Sequence, residues 1–139
     1  EVAKSALKEM FRQVGKPEFF TSNETVVESD DDAVPLMKKG IIVRHLVLPG
    51  CRSDSIACLR RLAELIPVSD IKLSLMSQYT PDFYTGDDKN LRRRLTTFEY
   101  ESVLSEALRL GFDGYMQSPS SASASYTPDF SDTFSVDLT

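Results

Sequence analysis

The chain has 139 residues, enough for one domain with a genuine core, and is 41% apolar with no tryptophan. Sixteen Lys and Arg against 21 Asp and Glu give a net charge of −5, which argues against a nucleic-acid or anionic-lipid footprint. No apolar run is long enough to cross a bilayer, and the two cysteines, Cys51 and Cys58, do not make a disulfide framework; a cytoplasmic, reducing setting is expected. The start at Glu1, without an initiator methionine or signal core, reads as a piece of something longer.

Residues 1–14 set Val2, Ala3, Ala6, Leu7, Met10, Phe11 and Val14 at helical spacing, with Gly15 as a stop. From Lys16 to Lys39 the pattern dissolves into a long connection, with a short surface strand expected at Thr25–Glu28. Asp30, Asp31 and Asp32 could hold a divalent cation, although a solvated turn suits them better, and for want of histidines a metal hydrolase built on them is a weak reading.

Residues 41–48 predict a buried strand, hydrophobic on both faces as a helix-covered parallel sheet requires, closed by Pro49-Gly50. Arg44 is the anomaly in it. A guanidinium in such a strand needs an anion or a wet cavity, because an unpaired buried charge is too costly. His45 points the opposite way, under the helices, and is expected as a satisfied core histidine rather than a ligand or base. A ligand set of His45, Cys51 and Cys58 can be imagined, but their spacing does not favour it.

Ser53 and Asp54 offer N-caps for a helix with a stripe of Ile56, Ala57, Leu59, Leu62, Ala63, Leu65 and Ile66, ended by Pro67. In 71–77 alternation puts Ile71, Leu73 and Leu75 on one strand face and Lys72, Ser74, Met76 and Gln78 on the other. Residues 79–94 form a long loop holding the basic stretch Lys89 to Arg94, which is expected as a solvated loop leading into a helix rather than a phosphate or nucleic-acid site. Thr96-Thr97-Phe98-Glu99 fits a capping box for a helix running to Gly111, and Phe112 to Gln117 follows as a third strand. The tail from Ser118, rich in Ser, Pro and Ala, reads as mobile, so 1–118 is the folded domain and 119–139 a flexible tail. Tyr-Thr-Pro-Asp-Phe occurs at 79–83 and again at 126–130, a matched pair of lid elements if it is a true repeat.

The fold class expected is α/β: a leading helix and about three βα units of a partial parallel (β/α) barrel, with right-handed crossovers and its chemistry at the C-terminal strand ends. The strand at 41–48 would keep an unpaired edge, inviting a homodimer.

The run Val43-Arg44-His45-Leu46-Val47-Leu48-Pro49-Gly50, then Asp54-Ser55, Ser74-Leu75-Met76-Ser77-Gln78-Tyr79 with Pro81, and Arg93-Arg94-Leu95-Thr96 with Glu99-Tyr100, resembles the C-terminal half of radical S-adenosylmethionine enzymes. The branch is that of pyruvate formate-lyase activating enzymes. The resemblance implies a partial (β/α)₆ barrel, S-adenosylmethionine and a [4Fe–4S] cluster as cofactors, and abstraction of a hydrogen atom from a glycyl-radical or other protein substrate. It implies that Arg44 reaches the bound S-adenosylmethionine, and that Ser77 or Gln78 stands where relatives carry a cofactor-facing histidine. Alternation prefers Gln78. The C-x₃-C-x₂-C cluster loop and the Gly-Gly-Glu stretch are missing, so this portion alone is expected to be inactive. The alternative is a non-catalytic α/β module binding a nucleotide-like ligand or a protein.

Overall fold

The computed structural model describes residues 2–20 and 36–116. Helix α1 (Val2–Val14) leads into β1 (Glu18–Phe19). After β2 (Met37–Lys39) come β3 (Ile42–Leu46), α2 (Arg52–Leu65), a 3₁₀ turn (Val68–Asp70), β4 (Lys72–Met76), α3 (Thr97–Arg109) and β5 (Gly114–Met116).

The three strands β3, β4 and β5 form one parallel sheet in sequential order. Arg44 sits beside Ser74, and Ser74 beside Tyr115. The mixed α/β class and the three-stranded parallel sheet are as expected, and three strands do not close a barrel. Val47, Leu73 and Leu75 on the sheet pack with Leu59 of α2 and Tyr100, Val103 and Ala107 of α3 in a single core. Both helices therefore cover the same face. Each such fully buried side chain stabilises by about 1.5–3 kcal/mol, which is why the β4 alternation was readable. Arg60 of α2 bonds Glu106 of α3 at 2.7 Å, and Glu106 also takes Arg109, so an ion-pair network ties the two helices.

One-sided cover corrects the reading of β3 as buried on both faces. Its burial alternates: Ile42 is 44% exposed, Leu46 is 36% exposed and Arg44 is exposed, while Val43 and His45 lean under the helices. Exposed in this way, the Arg44 guanidinium carries no burial cost that a partner anion must offset. His45 lies where expected, but its buried Nε2 has no hydrogen-bond partner among the described residues, so it is a core histidine and not a satisfied one.

Other boundaries moved for local reasons. Helix α2 starts after Cys51, without a side-chain cap, rather than at Ser53 or Asp54. The Pro49-Gly50 turn is tight, with Cys51 N–H donating to the Leu48 carbonyl at 3.1 Å, and the helix begins at once. Asp54 then falls in the first turn, where its charge favours the helix dipole. The stretch read as a plain connection holds a small antiparallel ladder: β1 pairs with β2, and Lys39 bridges Glu18 at 2.7 Å. Strands of two and three residues leave no periodicity to detect. The strand expected at Thr25–Glu28, the Asp30–Asp32 cluster, Gln117, the tail and the second Tyr-Thr-Pro-Asp-Phe copy lie outside the described residues.

Candidate functional site

Even-numbered residues of the sheet build an open face: Ile42, Arg44 and Leu46 from β3, Lys72, Ser74 and Met76 from β4, and Tyr115 from the odd register of β5. Lys72 is committed, bonded to Asp113 and 5.3 Å from the Phe19 ring. Arg44 is different. Its Nη2 approaches the Met76 thioether sulfur at 3.0 Å, and no acid pairs with it among the described residues. A thioether is a weak acceptor, so most of the guanidinium's hydrogen-bonding capacity faces solvent. Among the described residues the open face thus presents one uncommitted cation, set in aliphatic and aromatic surface, an arrangement able to take a carboxylate or other small anion.

Beyond β4, Ser77 continues the covered series of Leu73 and Leu75 and is 4% exposed, while Gln78 continues the open-face series and is half-buried. Arg44 and Gln78 share a face by alternation, and Ser77 lies on the other.

At the C-terminal strand edge the structure places a hub that spacing did not suggest. The Glu99 carboxylate accepts from Gly50 N–H at 2.8 Å, from both Arg93 terminal nitrogens at 2.8 Å, from Thr96 N–H at 3.0 Å and from the Thr96 hydroxyl at 2.8 Å. Thr96 Oγ1 in turn accepts from Glu99 N–H, completing the expected capping box. With the Arg93 guanidinium beside it, the carboxyl is held well below the usual carboxylate range. One side chain therefore joins the β3 turn, the long loop and the start of α3. The capping box was legible, but the Gly50 and Arg93 contacts were not, because they depend on how the loop returns. A single signal was available: an arginine placed six residues before the N3 glutamate of a capping box.

Residues 79–94 are braced rather than loose. Tyr79 hydroxyl donates to the Leu91 carbonyl at 2.7 Å, Asp88 N–H to the Tyr84 hydroxyl at 3.1 Å, and Arg92 Nε to the Gly86 carbonyl at 3.1 Å while its Nη2 reaches Asp87. The Asn90 side chain lies directly over Gly50, where a Cβ would stand 2.5 Å from it. Of the basic stretch, Arg92 and Arg93 are spent inside this scaffold.

Cys51 is half-buried at the start of α2 and Cys58 is exposed on it, while His45 faces the core. Among the described residues no group of three or more His, Cys, Asp or Glu could hold a metal ion, and no helix is long and apolar enough to cross a membrane. The sequence matches no protein-family model, and searches of curated proteins and of solved structures return no match.

Proposed function

We propose that the chain is the C-terminal portion of a radical S-adenosylmethionine enzyme of the branch related to pyruvate formate-lyase activating enzymes, in which Arg44 and Gln78 line the far wall of the cofactor pocket. The single observation that carries this reading is Arg44, a guanidinium on the open sheet face with a thioether and, among the described residues, no acid as partner. The winding supports it: consecutive parallel strands lie side by side with both helices on one face, as in a segment of a (β/α) barrel, whose uncovered face would be the lumen. In that reading the guanidinium takes the methionine carboxylate, and a protein substrate passes the 79–94 loop.

The cluster that would drive cleavage of S-adenosylmethionine does not fit this chain. Cys51 and Cys58 stand seven positions apart on one helix end and its exposed side, with no third thiol in the sequence. The chain by itself is therefore inert. Anaerobic reconstitution with iron and sulfide should leave no cluster absorbance, and near-stoichiometric incorporation would refute this.

The pocket itself is tested by titrating ¹⁵N-labelled protein with S-adenosylmethionine and with its decarboxylated analogue. Amide shifts at Arg44, Ser74 and Met76 should appear with the first ligand and be much weaker with the second, and Arg44→Ala should erase the difference. Equal response to both ligands would overturn the assignment of Arg44.

A second reading, a non-catalytic binding module, is favoured by one observation: the loop over the strand edge is locked by the Glu99 hub, which suits a fixed binding surface. Finding a C-x₃-C-x₂-C loop upstream in the same reading frame would dismiss it.

A further inference from the structure

In a parallel pair, successive residues turn their backbone groups to alternate sides. Lys72 N–H donates to the Ile41 carbonyl at 2.9 Å and Val47 N–H to the Met76 carbonyl at 3.0 Å. Residues 41, 43, 45 and 47 therefore face β4, and Ile42, Arg44 and Leu46 direct N–H and C=O away from the sheet. On that side no strand of the described residues pairs. We infer that this outer edge of β3 pairs antiparallel with β3 of a second copy, about a two-fold axis perpendicular to the sheet.

Three features select this occupant and mode. The edge is lightly guarded: Ile42–Leu46 contains no proline, no acid and no lysine, and Arg44 is its one fixed charge. A strand edge is also self-complementary, so a second copy needs no further feature to match it. Charge decides against the obvious rival, stacking of two open faces. That would bury Arg44 and Lys72 from each copy, with Asp113 as the only acid among the described residues bonded to either. Edge pairing leaves every guanidinium head in water.

Charge also fixes the register. Pairing centred on Arg44 would set each guanidinium opposite its own copy, which is destabilising. A two-residue shift that places Arg44 opposite Leu46 lets the alkyl stem lie on an aliphatic side chain and sets Ile42 opposite Leu48. The reverse shift would leave Leu46 opposite Gly40, which has no side chain to cover it. The product is a continuous six-stranded sheet with all four helices α2 and α3 on one side. Contact through a single short strand is well below the size of a stable interface, so the dimer should dissociate on dilution.

The inference concerns this chain by itself, since in a longer barrel a preceding strand would take the same edge, and it is tested without S-adenosylmethionine. Sedimentation equilibrium from micromolar to millimolar protein is combined with amide hydrogen exchange read by NMR. The expected result is a dimer at high concentration, with protection at Ile42, Arg44 and Leu46 that is lost on dilution, while Val43, His45 and Val47 stay protected throughout. Leu46→Pro removes one outward N–H and spares the β4 ladder, and should yield a folded monomer. If it fails to fold, Leu46→Lys, which sets a like charge opposite Arg44, should weaken the dimer instead. A monomer at every concentration, a dimer in which these three amides exchange freely, or protection indifferent to dilution would each overturn the inference, the last by assigning the edge to another segment of the same chain.

Discussion

Replacing Glu99 with alanine tests whether one carboxylate holds the C-terminal strand edge together. Its side chain is 12% exposed, against 40% for Arg93. Loss of a capping side chain costs about 1 kcal/mol. The Gly50 N–H bond to a charged acceptor adds about 1.5 kcal/mol. The Arg93 pair, screened by solvent on the arginine side, adds about 1 kcal/mol at most. These share one side chain and are not additive, so about 3 kcal/mol is the expected total, a fall in melting temperature of roughly 15 °C for a domain of this size. Urea titration followed by circular dichroism reads the first quantity and a thermal scan the second. Because the folded-state carboxyl titrates below its unfolded range, the stabilisation is fully present above the unfolded value near about 4.3 and is lost as pH falls toward the folded one. The gap between wild type and Glu99→Gln should therefore close in acid. A loss under about 0.5 kcal/mol would place Glu99 among ordinary surface residues and refute the hub. So would zero coupling between Glu99→Ala and Arg93→Ala in a double-mutant cycle.

Burial lowers the His45 imidazole below its ordinary range, so the folded state favours the neutral form. Stability should be full above about pH 6.5, the unfolded value, and decline as pH falls below it, and His45→Leu should flatten that limb in denaturation measured at stepped pH. Gly50 has φ of 78° with Asn90 over it, so Gly50→Ala should cost about 1–2 kcal/mol from backbone strain plus the displacement of Asn90. Asn90→Gly should recover only the second part, as urea midpoints would report. A Cβ on Gly114 would collide with the Leu73 carbonyl oxygen, so Gly114→Ala should detach β5, seen as loss of exchange protection at β4 amides that face it.

The elements easiest to foresee were those whose side chains meet the core at regular intervals. Helix α1, the β4 alternation of Ile71, Leu73 and Leu75, and the Thr96 capping box all declare themselves within a few residues. β3 misled because its run of Ile42, Val43, Leu46, Val47 and Leu48 has no polar residue at the open-face positions except Arg44. A strand that keeps aliphatic side chains on an uncovered face has the same composition as one buried on both. Tyr100 enters the sequence reading only through the resemblance, and its burial and hydroxyl bond to the Leu75 carbonyl, at 3.3 Å, belong to tertiary packing. The Glu99 contacts with Gly50 span 49 positions, and Arg44 meets Met76 across 32. Neither reach is encoded in any window of local sequence.

An exposed apolar face is unusual for a parallel sheet, since its crossovers normally leave both faces covered. Among the described residues β3 therefore carries two separate deficits: side chains at Ile42, Arg44 and Leu46 without a covering layer, and backbone groups of the same residues without a neighbouring strand. An anionic ligand held by Arg44 answers the first through side chains and leaves the amides free. A second copy answers the second through amides and leaves the guanidinium free. The two can therefore be resolved on the same three residues. If adding S-adenosylmethionine shifts the Arg44 guanidinium Nε–H and Met76 methyl resonances without changing amide exchange at Ile42 and Leu46, while raising protein concentration slows that exchange and leaves those side-chain resonances in place, face and edge are independent sites. If either perturbation moves both readouts, one occupant covers both, and the separation argued from the alternating geometry of β3 fails.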